Sequence, residues 1–207
     1  MKLYFTRHGK TEWNQARRFQ GMNGDSPLLS TSYEQIYLLG QHLKEIPFEA
    51  IYSSPSKRAR DTTLGIQREL LHPTEIIYND DLREMGYGEL EGQSIDEMYA
   101  KYREDLTNLR HHLDRYDPSA FKGETTEAML QRVSKVIFEA VMLHEGPLLF
   151  VGHGASFTAT LQHLVGKDTS ELRAMGGLLN NSLTILETEN KQSPYQMCQW
   201  NDVSFLV

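Results

Sequence analysis

Cysteine is nearly absent from this chain: Cys198 stands alone among 207 residues. No intrachain disulfide can form, and nothing marks adaptation to an oxidising compartment. Long apolar runs are missing too. A run such as Leu148–Val151 is far shorter than the roughly 20 residues that cross a bilayer, and Leu3-Tyr4-Phe5 is too short for the core of a secretory signal. The expectation is a cytoplasmic protein with no membrane partner. Positive charge is not in excess either. A net charge of −7 repels nucleic acid over most of the surface, so an anionic substrate has to be met by a local cluster of cations.

Several motifs are also lacking. There is no His-Glu-x-x-His and no cysteine pair, and His111-His112 are adjacent rather than one helical turn apart, so no metal or other cofactor is expected. No glycine-rich loop ends in Lys-Ser or Lys-Thr, which removes a P-loop kinase. With no repeat, no low-complexity tract and no Gly/Ser/Pro-rich linker, the chain reads as one domain, 1–207.

What is present is an alternation of two periods. Short β-rich runs occur at Leu3–Thr6, Ala50–Ser53, Glu75–Tyr78, Leu148–Val151 and Leu183–Leu186. Between them, Ile36, Leu39, Leu43 and Ile46 recur at helical spacing, as do Met129, Val133, Val136, Ile137, Ala140 and Val141, and Phe157, Leu161, Leu164 and Val165. These stripes are core. Strands apolar throughout, separated by amphipathic helices, predict an α/β fold: a mostly parallel central sheet with helices on both faces. A stretch at about 86–124 breaks the rhythm, with a helical opening near Ile95–Tyr102 and a polar, proline-containing Leu113–Lys122; it is taken as a lid insertion. The tail from Met197 to Val207 is expected to add an edge strand.

Ligands of open parallel sheets bind beyond the carboxyl ends of the strands, and three such ends carry chemistry. The first gives Thr6-Arg7-His8-Gly9, where a neutral imidazole offers a lone pair near pH 7 and Arg7 can grip phosphoryl oxygens. A lone histidine at a strand end is more often structural, so partners are needed. The second strand ends in Ser53-Ser54-Pro55-Ser56, where Ser54 or Ser56 could cap a helix carrying Arg58 in its first turn; helix amides and a guanidinium fork suit a phosphate, although an ordinary cap with a solvated arginine is an equal reading. The third gives Val151-Gly152-His153-Gly154. If these strands are neighbours, the histidines and arginines meet. Glu84, in the glycine-punctuated Leu82–Gly88, is either a general acid or a salt-bridge partner of Arg83.

Taken together, Arg7-His8-Gly9 with Thr11, Trp13 and Asn14; Arg18 with Gln20-Gly21; Asp25–Leu28; Ser53-Ser54 with Arg58-Ala59 and Thr62; Leu82-Arg83-Glu84 with Gly88 and Glu91-Gly92; Gly123-Glu124-Thr125; and Gly152-His153-Gly154 resemble the histidine phosphatase superfamily. That family has a phosphoglycerate mutase-like fold and includes both cofactor-dependent mutases and small phosphatases. The resemblance implies a metal-independent phosphatase hydrolysing monoesters of a small phosphorylated metabolite. It makes His8 the phosphate-accepting nucleophile, Glu84 the proton donor, and Arg7, Arg58 and a protonated His153 the phosphoryl clamp. It further implies substrate contacts at Asn14, Gln20 and Gly21, and from the backbone of Gly154 and Ala155. Alternatives are a phosphoglycerate mutase and a silent phospho-ligand-binding module. Against the mutase, Met85 stands where such enzymes carry a carboxylate-binding arginine. Lys10, Gly152, Leu29 and Ser32 also depart from the usual pattern. Oligomeric state and natural substrate are not written in the sequence.

Overall fold

The computed structural model describes residues 1–72 and 74–207. In chain order the elements are β1 (Lys2–Arg7), α1 (Glu12–Gln15), α2 (Ser30–Leu43), β2 (Ala50–Ser53), α3 (Lys57–Gln67), β3 (Glu75–Tyr78), α4 (Ile95–Lys101), α5 (Arg103–His111), α6 (Thr126–Leu143), β4 (Leu148–Gly152), α7 (Gly154–Leu164), β5 (Leu183–Glu187) and β6 (Gln196–Asp202). The strands form one sheet in the order β3-β2-β4-β1-β5-β6. The four strands from β3 to β1 run parallel, whereas β5 and β6 are antiparallel to their neighbours. The fold is therefore the α/β class expected, with the tail strand present, although β6 stops at Asp202 and a short 3-10 turn follows.

The alternation of side chains across the strands divides the core in two. Leu3, Phe5, Ala50, Tyr52, Leu148 and Phe150 face α6 and α7, packing on Val133, Ile137, Phe157 and Leu161. Tyr4, Ile51, Leu149 and Val151 face the other way, onto Ile36 and Leu39 of α2 and Ala59 and Ile66 of α3. Ile46, read as part of the α2 stripe, lies beyond that helix's last turn. No helix of the described residues is long and apolar enough to cross a membrane.

The lid segment has its own apolar centre, where Met85, Tyr87, Leu106, Leu109 and Phe121 pack on Met129 and Leu130 of α6. It contains a second helix, α5, that the sequence reading passed over. Only Leu106 and Leu109 of α5 are buried, so its stripe is too thin to stand out against nine mostly polar positions.

Gly152, one of the departures from the family pattern, has a steric reason. A Cβ there would lie 2.3 Å from Cζ of Phe157, a fully buried ring that also packs edge-on to Phe5 at 5.6 Å between centroids. Aromatic filling from α7 thus takes the volume that a serine side chain would need. Gly152→Ser should cost about 1–3 kcal/mol by overpacking, read as a lowered urea midpoint at unchanged m-value. Phe157→Leu in the same chain should recover part of the loss; a wild-type midpoint for Gly152→Ser would refute the packing account.

Candidate active site

The register of the parallel strands brings the candidate residues together. Arg7 of β1 pairs with Gly152 of β4, and Val151 of β4 pairs with Ser53 of β2. His8, His153 and Ser54 therefore leave the sheet side by side. The ladder runs one step further, with the His8 amide on the Gly152 carbonyl (2.9 Å) and the Ser54 amide on that of Val151 (3.0 Å). The two imidazoles end with ring centroids 5.2 Å apart, both buried.

Each ring is held by one nitrogen. His8 Nδ1 lies 2.8 Å from the carbonyl of its neighbour Gly9, which fixes the proton on Nδ1 and leaves the Nε2 lone pair facing Arg58 Nε at 3.2 Å. Thr62 of α3 receives the Gly9 amide (3.0 Å), and Asn180 Nδ2 donates to the His8 carbonyl (2.9 Å), so the loop is pinned on both sides. Ser54 and Ser56 hydroxyls reach His153 Nε2 at 2.7 and 3.2 Å. The expectation that one of these serines caps α3 is corrected: Ser56 is the N-cap residue, but neither hydroxyl caps. Instead Asp25 receives the Lys57 amide at 2.7 Å. His153 Nδ1 and Arg7 Nε are buried and have no partner among the described residues.

Arg58 is 1% exposed, and the solvated-arginine reading fails. Its guanidinium donates to Gly24 O (2.8 Å), Gly21 O (3.0 Å) and Asp25 Oδ1 (3.1 Å) besides His8. Gly21 is a glycine by necessity, since a Cβ would come within 2.7 Å of the Met85 carbonyl. Arg7 sends one nitrogen to Leu178 O (2.7 Å), and its guanidinium packs so close to Gly154 that a Cβ there would lie 3.0 Å from Cζ.

Glu84 is not the partner of Arg83, which pairs with Asp80 at 2.7 Å. Its buried carboxylate accepts the amides of Met85 (2.9 Å) and Ser156 (2.7 Å) on Oε1 and of Ala155 (2.9 Å) on Oε2. The last two are orphan donors in the first turn of α7. Behind it, Arg132 of α6 binds the carbonyls of Asp81, Arg83 and Glu84 at 2.7–3.0 Å while paired to Glu124, which also takes the Gly86 amide at 3.0 Å. Of the described residues, no three His, Cys, Asp or Glu side chains converge as a metal site would require.

A family model described as "Histidine phosphatase superfamily (branch 1)" matches residues 3–203. The chain belongs to the histidine phosphatase superfamily. It is 31% identical over 162 residues to "Uncharacterized phosphatase PhoE" of Bacillus subtilis (strain 168), covering 78% of this chain and 76% of that one. It is 28% identical over 204 residues to "Probable phosphoglycerate mutase GpmB" of Serratia proteamaculans (strain 568), covering 97% and 90%. Among solved structures, Bacillus stearothermophilus YhfR superposes with a TM-score of 0.91 at 29% identity, over 100% of this chain and 99% of that one.

In this histidine phosphatase a cavity of about 520 Å³ is lined by Arg7, Glu84, Asn14, Gln20, Gly154 and Ala155 together with Ile95, Tyr99, Leu106 and Leu109 of the 86–124 segment; His8, Arg58 and His153 are not among its lining residues. Asn14 sits in a capping box with Thr11 and receives a bond from Asn180 at 3.4 Å, whereas Gln20 is tied to Ser26 (2.5 Å) and Thr11. Gly21 lies outside this lining and acts on Arg58. His111 lines the mouth, while Lys10 is exposed and does not. Sequence reasoning missed Asn180, Arg132 and Arg173. An arginine on a helix's polar side, or an asparagine before a strand, carries no signal until tertiary structure brings it home.

Burial, with the charges of Arg58 and Arg7, pushes His8 well below the ordinary histidine value. His153 is pushed down by burial, Arg58 and His8, so the proton assigned to it from sequence is absent while the pocket is empty. Both rings titrate near 6.5 when unfolded; below that pH the unfolded chain binds protons that the native state refuses. Stability is thus full above pH 6.5 and lost as pH falls, with a limiting slope near 1.4 kcal/mol per pH unit for each ring. Urea unfolding between pH 7 and 5 should show this decline, and His8→Gln with His153→Gln should flatten it. A flat wild-type profile would mean the rings are charged in the native state.

Proposed function

We propose that the protein hydrolyses phosphate monoesters through a phosphohistidine on His8. The observation that carries this reading is a buried, neutral imidazole whose Nδ1 is committed to Gly9 and whose Nε2 lone pair lies beside a buried guanidinium. Nε2 attacks phosphorus, the bond to the ester oxygen breaks, and Glu84 gives the departing oxygen its proton. Water then attacks phosphohistidine, Glu84 takes a proton from it, and phosphate leaves with the P–N bond broken.

The clamp is supported by the polar atoms left without partners. A phosphoryl group would supply oxygens to Arg7 Nε and His153 Nδ1, and would compete for Arg58 Nε and the Ala155 amide, the latter now held by Glu84. Losing that amide frees Oε2 to face the leaving oxygen. Each pre-aimed donor of this kind can contribute about 3 kcal/mol to the transition state. The relative named a phosphatase supports hydrolysis over isomerisation. So does Met85, fully buried in the lid's apolar centre, which leaves no cation where mutases place one.

Rapid quenching with labelled substrate should trap label on the protein that is lost in acid and kept in alkali, as a phosphoramidate requires; His8→Ala should abolish it, and label surviving in that variant would refute the assignment. Glu84→Gln should slow alkyl phosphates at least tenfold more than p-nitrophenyl phosphate, whose leaving group departs unaided. Equal losses would make Glu84 a positioning residue. With 3-phosphoglycerate and a bisphosphoglycerate primer, inorganic phosphate should outpace 2-phosphoglycerate.

A further inference from the structure

The two buried imidazoles differ in what holds each ring from behind. His8 has Nδ1 against the Gly9 carbonyl at 2.8 Å, so it keeps its proton there and is left with a lone pair on Nε2. His153 is held by hydroxyls instead. Ser54 Oγ lies 2.7 Å and Ser56 Oγ 3.2 Å from His153 Nε2, and the two oxygens are 2.9 Å apart, which closes a triangle of polar atoms on three buried residues. No carboxylate of the described residues is within ion-pair distance of the ring. Burial, Arg58 of α3, His8, Arg7 of β1 and Arg132 of α6 all push its pKa down. The position of the one proton on the neutral ring is therefore left to the two serines.

A hydroxyl has one proton to give and two lone pairs, and counting them fixes which way the triangle runs. Ser54 Oγ receives the Ser56 amide at 3.4 Å, and Ser56 Oγ has no hydrogen-bond partner among the described residues besides Ser54 Oγ and His153 Nε2. With the proton on Nε2, that nitrogen would donate to a serine oxygen, and only one of the two hydroxyl protons could find an acceptor. With the proton on Nδ1, Nε2 accepts one hydroxyl proton and the other hydroxyl completes the chain, so both are used. A buried hydroxyl proton without an acceptor is costly, and the Nδ1–H tautomer is favoured.

We propose that Ser54 and Ser56 are positioning residues of His153: by occupying Nε2 they keep the proton on Nδ1, so that His153 meets a phosphoryl oxygen as an N–H donor while His8 meets phosphorus with a lone pair. The inference rests on the phosphatase reading for the place of the phosphoryl group, and on Nδ1 of His153 being buried without a partner among the described residues. Two rings with centroids 5.2 Å apart thus take opposite roles because one is backed by a carbonyl and the other by hydroxyls. The Nε2–H tautomer would turn a second lone pair on the oxygens that the arginines hold. Hydroxyls also do what a carboxylate could not. A carboxylate only accepts and would draw the proton to Nε2, whereas a hydroxyl donates to the neutral ring and, by rotating, accepts from the charged one. Proton uptake by His153 in the presence of an anion then requires no heavy atom to move.

Long-range proton–nitrogen NMR spectra of the imidazoles in the ligand-free protein read the tautomer directly, with His153→Gln identifying the resonances. The wild type should carry the His153 proton on Nδ1 and none on Nε2. Ser54→Ala combined with Ser56→Ala should shift the ring toward the Nε2–H form and weaken the binding of inorganic phosphate, measured by calorimetry, about tenfold, the worth of one hydrogen bond to an anion. Ser56→Ala alone leaves the 2.7 Å contact from Ser54 and should keep the tautomer. A wild type with its proton on Nε2 overturns the proposal, whether or not the variants fold. So does a folded double variant that keeps the Nδ1–H form, whatever its affinity for phosphate. Neither readout needs turnover. A wild type that shows the Nδ1–H form and binds phosphate, yet hydrolyses no monoester, would reject the phosphatase reading and leave the role of the serines standing.

Discussion

A guanidinium buried at the head of a helix must have its N–H groups answered, and Arg58 is answered by four residues of two segments at once. His8, Gly21, Gly24 and Asp25 accept from it, and removing the arginine would leave the buried acceptors on His8 and Gly21 unpaired at a cost of about 1–3 kcal/mol each. The loop from Gly21 to Asp25 has little apolar content of its own and takes its shape from polar contacts. Glu91 holds it from outside by accepting the Asn23 and Gly24 amides, and Asp25 ties it to the first amide of α3. Strand β1, the loop after α1, helix α3 and the edge of the lid are therefore set by one hub. That the hub is also the cation nearest the His8 lone pair means that site geometry and local folding share the same bonds.

The carboxylate side is built on the same plan, around the ion pair of Arg132 and Glu124. Arg132 and Glu124 are both mostly buried, at 14% and 13% side-chain exposure. Such a pair contributes little net stability, yet breaking it by removing one partner typically costs 3–5 kcal/mol. Its use is positional. Three carbonyls of the segment from Asp81 to Glu84 and the amide of Gly86 converge on the pair, which leaves the Glu84 side chain little freedom except toward the α7 amides. The 86–124 segment packs on the same helix, through Met129 and Leu130, so α6 supports both that segment and the ion pair behind Glu84.

The sheet was legible in the sequence because its signals are local. Five apolar runs of strand length, each followed by small or polar residues, correspond to β1 to β5, and the helical stripes of α2, α6 and α7 are equally direct. Histidines and arginines at strand ends were legible for a related reason: the sheet geometry fixes where such ends lie, so Arg7, His8, Arg58 and His153 needed only neighbouring strands to meet. What escaped was set by tertiary contact. Helix α5 has two buried side chains, too few for a period. Arg132 and Arg173 look like solvated arginines in the sequence, and only the fold shows the first among carbonyls and the second beside an amide-rich helix start. The serines after β2 were read as caps because caps are the commonest use of that pattern; the nearness of His153 and the presence of Asp25 redirected them.

The burial of His8, His153 and Arg58 brings two requirements into agreement. Desolvation keeps His8 neutral, as the nucleophile of the proposed reaction must be, by penalising the charge that Arg58 and Arg7 would also repel. The same desolvation strengthens the attraction of those arginines for a bound anion, since fewer water dipoles screen it. A solvent-filled pocket would lose on both counts, leaving the imidazole partly protonated near pH 6.5 and the clamp screened. The cost falls on the free protein, where Arg7 Nε and His153 Nδ1 have no partner among the described residues. In the proposed reaction an arriving phosphoryl dianion would relieve both. With that charge against His153, the burial and repulsion that hold the ring neutral would be offset, and protonation there would become part of binding rather than a property of the free protein. Anion affinity should for that reason strengthen as pH is lowered toward the point where His153 can take up its proton, even while the unliganded fold grows less stable.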